Sequence, residues 1–187
     1  MLYNNINMIE IKTSSIKDAG KGVFATENIE IGNIITEYVG KKISSEEFDK
    51  QYKENDVEMN YYTINYNDKL KIVGDMNSQD IKKCGQLIND AGTLKDPNKL
   101  DIDNAKEYIL TAKKTNCEFI KSSLNDGLFI ISTRDIKKGE ELFVHYGYSY
   151  WFKPDNFDFS KDSELLDFIN NMDDKYVDKL NKHLENL

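Results

Sequence analysis

Hydrophobic residues along the 187-residue chain come in short β-branched and aromatic runs, each closed by Gly, Asn or Asp. Runs at 7–12, 22–25, 34–39, 61–66, 70–73, 118–121, 128–133 and 141–144 have the length and composition of strands. Two segments break this rhythm with a helical period. Ser44 stands three residues before Glu47, a capping-box spacing that predicts a helix from 44 to about 54. Residues 101–114 carry acids at the start and lysines at the end, as the helix dipole favours. A third stripe, Ile169, Met172, Tyr176, Leu180, Leu184 and Leu187, predicts an amphipathic tail helix. That stripe either packs on its own domain or serves as a dimer or partner helix.

Many short strands with few helices predict a mainly β fold with minor α and exclude a doubly wound sheet. No strand is followed by a glycine-rich turn and a helix, so the commonest dinucleotide-binding plan is absent. The length suits one domain with a short appendage.

Charge narrows the partners. Lys and Arg number 25 against 33 Asp and Glu, a net charge of −8, and Arg134 is the only arginine. Such a surface is poorly suited to nucleic-acid phosphates and better suited to a basic protein. Two cysteines, Cys84 and Cys117, allow neither a disulfide framework nor a four-cysteine zinc site and read as small buried hydrophobes. The longest apolar runs, such as 128–131, are far too short to cross a bilayer, and the first residues lack the pattern of a signal peptide. A soluble, intracellular protein is expected.

Three blocks could carry chemistry. Ala19-Gly20-Lys21-Gly22-Val23-Phe24-Ala25 holds a GxG turn that lets a ligand approach the backbone, or is an ordinary turn. In Gly85-Gln86-Leu87-Ile88-Asn89-Asp90-Ala91 the aliphatic pair can anchor Asn89 as a donor and acceptor, or the polar pair opens a loop. The stretch 136–152 ends in Tyr146, Tyr148, Tyr150, Trp151 and Phe152, an aromatic slot for a cation or the end of a core. His145, preceding Tyr146 on a strand, should point the opposite way and reads as packed or exposed. His183 lies on the tail helix and reads as solvent-facing.

In this order the blocks resemble the SET-domain protein lysine methyltransferases. The matching pieces are AGKGVFA with IEIGNIITEYVG, GDMNSQDIKKCGQLIND, NCEF and ISTRDIKKGEELFVHYGYSYW, together about residues 9–151. The chain departs from the pattern twice. The family's Asn-His pair reads Asn89-Asp90, and about 25 residues separate it from Asn116-Cys117, where relatives have a few.

The resemblance implies a β-clip SET fold of small curved sheets with a C-terminal pseudoknot. It implies a SET domain at 9–150 with a helical insertion at about 91–115, and a post-SET-like helical tail at 151–187 without zinc. It implies S-adenosylmethionine as cofactor and no metal. Gly20, Lys21 and Gly22 would hold the cofactor's methionine end, Asn89 would bond it, the Asp90 backbone would meet the adenine, and Trp151 would cover it. The family's histidine also braces the fold with its side chain, which a carboxylate at Asp90 is not expected to copy. Tyr146 and Tyr38 take the catalytic places, with Tyr146 also against the cofactor. Tyr38, Tyr62, Phe119 and Tyr148 would line the lysine channel.

The implied activity is lysine N-methylation of a basic histone tail. Phe119 and Val144 bring no hydroxyl to the channel, so di- or trimethyllysine is the expected product. A non-histone substrate, or a weakly active SET-like peptide-binding module, is the alternative. The implied partner is a lysine-containing basic protein or peptide, with no nucleic acid, no membrane and a homodimer through the tail as one option. The compartment would be the nucleus for a histone substrate and otherwise the cytoplasm.

Overall fold

Alternation and burial produce the strands where the apolar runs predict them. A computed structural model describes residues 8–52, 62–94, 102–122 and 126–151. Contacts within the chain divide it into two units, residues 1–89 with 115–144 and residues 90–114 with 145–187.

The first unit is built of small antiparallel sheets. β1 (Ile9–Thr13) pairs with β2 (Lys21–Ala25), Ile9 opposite Ala25 and Thr13 opposite Lys21. β3 (Ile34–Tyr38), β9 (Leu128–Ser132) and β8 (Cys117–Lys121) form a second sheet with β9 central. β4 (Gly40–Ser44), β6 (Leu70–Gly74) and β5 (Thr63–Asn65) form a third with β6 central. The apolar pattern does not announce β4, because only Ile43 of GKKIS is buried. Its pairing with β6, from Gly40 opposite Gly74 to Ser44 opposite Leu70, makes the strand.

The core gathers Val23, Ile29, Ile130, Ile136 and Leu142, each at most 1 % exposed. Full burial of an aliphatic side chain of this size contributes about 1.5–3 kcal/mol. Ile29 and Ile136 also exchange backbone hydrogen bonds in both directions, at 2.8 Å each.

Helix α1 (Ser45–Tyr52) begins where the capping spacing predicts: the Ser44 hydroxyl accepts from the Glu47 amide at 3.0 Å. The Glu47 carboxylate turns instead to Lys41 and Gln51, so half of the box forms. Two single 3-10 turns, Ile81–Lys83 and Gly85–Leu87, lead into β7 (Asn89–Asp90). The strand expected at 141–144 is shorter, β10 (Phe143–Val144).

In the second unit the helix expected at 101–114 is α2 (Ile102–Ala112), with Asn104, Ala105, Tyr108 and Ile109 as its buried stripe. Residues 148–151 form a one-turn helix, α3 (Tyr148–Trp151). The tail stripe, His183 and everything from 152 onward lie outside the described residues. Among the described residues no helix is long and apolar enough to cross a membrane.

Candidate functional site

In the first unit the GxG turn meets the Asn-Asp strand. Gly20 adopts φ +72°, a conformation that favours glycine, and nothing lies within 4 Å of where its Cβ would stand. The Ser14 amide donates to the Gly20 carbonyl at 2.9 Å and closes the turn. Asn89 Nδ2 donates to the Lys21 carbonyl at 2.8 Å, joining residues 68 positions apart. Among the described residues nothing donates to the Asn89 amide oxygen.

Gly22 has a different neighbour. A Cβ there would fall 2.1 Å from Glu141 Oε1. Glu141 is 6 % exposed and accepts from the Ser14 hydroxyl at 2.6 Å, the Ser15 amide at 2.7 Å and the Ser15 hydroxyl. Glu141 opens the apolar run 141–144 and is not among the candidate residues of the three sequence blocks. The signal was Gly22 itself, since an isolated glycine inside a strand marks a close approach.

Asn116 links the same region. Its Nδ2 donates to the Glu141 carbonyl at 2.9 Å, and its Oδ1 accepts from the Phe143 amide at 2.8 Å. Residues 141 and 142 meanwhile pair with β2, Glu141 opposite Phe24 and the Leu142 amide donating to the Val23 carbonyl at 2.8 Å, so β10 begins only at Phe143.

A second cluster in this unit brings together three of the four expected channel residues. Tyr38 is 7 % exposed and packs with Tyr66, Ile72 and Leu128, with Phe119 beside them. Its ring stands edge-on to Phe119, 6.1 Å between centroids at 68°. Its hydroxyl donates to the Tyr62 carbonyl at 2.7 Å, so Tyr62 contributes backbone here. A Cβ on Gly74 would lie 3.1 Å from that hydroxyl, so the strand leaves room for it. Tyr66, not singled out from sequence, donates to Asp126, and that hydrogen bond raises the Tyr66 pKa. The fourth channel residue, Tyr148, opens α3 in the other unit.

Both cysteines are buried, which pushes the thiols up to about 11 at Cys84 and about 12 at Cys117. Neither holds a thiolate near neutral pH, so nucleophilic sulfur chemistry is excluded there. Among the described residues no three His, Cys, Asp or Glu side chains are grouped to hold a metal ion.

The second unit holds Asp90, Tyr146 and Trp151 together. Asp90, 3 % exposed, accepts from the Tyr146 amide at 2.9 Å and from Trp151 Nε1 at 3.0 Å. The expectation that a carboxylate at this position does not brace the fold is corrected. Asp90 braces the segment through its side chain, as an acceptor for N–H and O–H donors. The Tyr146 ring stands edge-on to Tyr150, 4.9 Å between centroids at 70°. His145 is exposed, with its ring 5.7 Å from that of Tyr108.

In comparisons with known proteins, the family model described as SET domain matches residues 20–147. No curated protein matches the chain.

Proposed function

This chain belongs to the SET domain family, generally protein-lysine methyltransferases, and from that premise we propose that it methylates lysine in a basic protein, with a histone tail as the substrate class. What carries the reading is the meeting of Asn89 with the carbonyl of Lys21. That bond links the glycine turn to the Asn-Asp strand, the two pieces the family uses for its cofactor. SET domains typically use S-adenosylmethionine. The residues fit its polar end: open space beside Gly20, backbone groups at Lys21, and an Asn89 amide whose oxygen still accepts. When bound, S-adenosylmethionine supplies a methyl group on a sulfonium centre.

Lysine must arrive there as a neutral amine, although its ordinary pKa is near 10.4. An apolar aromatic wall disfavours the ammonium by desolvation. Tyr38 and Phe119 supply such a wall, held rigid by the bond from Tyr38 to the Tyr62 carbonyl. Tyr146 is assigned the reacting centre and Trp151 the adenine cover. The net charge of −8 favours a basic substrate. The deciding experiment incubates the protein with labelled S-adenosylmethionine and a panel of histones and lysate proteins. Label on lysine, located by mass spectrometry, is expected; its absence from every substrate would overturn the reading.

Two variants test the parts. Asn89→Ala is expected to weaken S-adenosylmethionine binding by about 1–3 kcal/mol, because polar groups of the bound cofactor lose their partner. Unchanged affinity by calorimetry would leave Asn89 a turn residue only. Phe119→Tyr is expected to shift product from di- and trimethyl- toward monomethyllysine. The added hydroxyl holds the amine, or a water beside it, and fills the space that methyl groups already transferred need. Time-resolved mass spectrometry of one peptide with both proteins decides it, and an unchanged product distribution removes Phe119 from this role.

A further inference from the structure

The residues between Asn89 and Asn116 do more than lengthen the chain. The Asp90 carboxylate collects four donors: the Gly92 amide at 2.8 Å on Oδ1, and on Oδ2 the Tyr108 hydroxyl at 2.7 Å, the Tyr146 amide and the Trp151 indole. Three donors on one oxygen exceed its two lone pairs, so the position of each constrains the other two. Tyr108 comes from α2 and is fully buried. Its ring lies so close to Gly92 that a Cβ there would fall 1.9 Å from Cε2. A second tie fixes the same helix, as the Thr93 amide donates to Thr111 Oγ1 at 2.8 Å. The segment bearing Asp90 is therefore clamped to α2 at two points, and one of them shares an oxygen with the backbone of Tyr146.

We infer that Tyr108 is a positioning residue for Tyr146: its hydroxyl sets the Asp90 carboxylate that fixes the Tyr146 amide, making α2 part of the catalytic frame. This role rests on the methyltransferase reading above, which places Tyr146 at the reacting centre. A misplacement of the reacting groups by an ångström slows a reaction as much as 10²-fold, so a partial loosening should be felt in turnover before binding.

Tyr108→Phe keeps the ring against Gly92, His145 and Trp151 and removes one hydroxyl. Trp151 is the single tryptophan, so its indole N–H resonance reports on Asp90 without reference to any activity. Tyr108→Phe is expected to move that resonance, to bind S-adenosylmethionine with unchanged stoichiometry, and to change its affinity less than it changes kcat. Its kcat should fall about tenfold while the KM for a lysine peptide stays the same. Asp90→Asn replaces an acceptor with an NH2 that faces other donors, and should move the same resonance and lower kcat further. A wild-type kcat in Tyr108→Phe, or an unmoved indole resonance, overturns the proposal alone. No transfer by the wild-type protein overturns the methyltransferase reading, and the positioning role falls with it.

Discussion

Tyr146→Phe is expected to give a folded protein whose methyl transfer is slower by about 10²–10³-fold, the loss that follows removal of one preorganised polar group from a reacting centre. The structure holds this residue at both ends. Its amide donates to Asp90, and its ring lies edge-on to Tyr150, so phenylalanine keeps the backbone bond and the ring contact. Only the hydroxyl is lost, and with it the group proposed to orient the transferring methyl through weak directional contacts. The loss should therefore appear in kcat, with S-adenosylmethionine affinity nearly intact. Single-turnover rates measure the effect, and thermal unfolding verifies the fold. Turnover within about threefold of wild type, about 0.65 kcal/mol in barrier, would remove Tyr146 from the mechanism.

How much of this was legible in the chain depends on the range of the interaction. Strands β2, β3, β6, β8 and β9 carry apolar runs of their own and fall within a residue or so of their expected limits. The capping serine of α1 and the charge gradient of α2 are also local signals, and both helices appear. β4 was not legible, because a strand with one buried residue exists by pairing with β6 rather than by its own pattern. The late start of β10 was hidden for a similar reason, since residues 141 and 142 pair with β2, far away along the chain. In the candidate site, the ordered blocks pointed to Gly20, Lys21 and Asn89, and the structure joins Lys21 to Asn89. They did not reveal Asp90 as a hub, because its partners Tyr108 and Trp151 lie 18 and 61 positions away. A carboxylate surrounded by donors cannot be recognised before the donors are placed.

Glu141→Ala is expected to cost about 1.5–3 kcal/mol of stability, the range for losing hydrogen bonds to a charged acceptor. Glu141 is 6 % exposed, and its carboxylate gathers the Ser14 hydroxyl, the Ser15 amide and the Ser15 hydroxyl at the mouth of the GxG turn. Alanine removes the acceptor and leaves the Ser14 hydroxyl and both Ser15 donors without it. Glutamine keeps the volume and one acceptor oxygen but presents an NH2 to another donor, so about half of that loss is expected. Urea unfolding with an unchanged m-value reads both numbers. The companion test uses Gly22, where a Cβ would fall 2.1 Å from Glu141 Oε1. Gly22→Ala alone forces the carboxylate out of its bonds and should be as damaging as losing it. With Glu141→Ala already present the clash partner is gone, so the double variant should be clearly more stable than the sum of the single losses predicts. Strict additivity, or a Glu141→Ala protein as stable as wild type, would show that the carboxylate does not hold the turn.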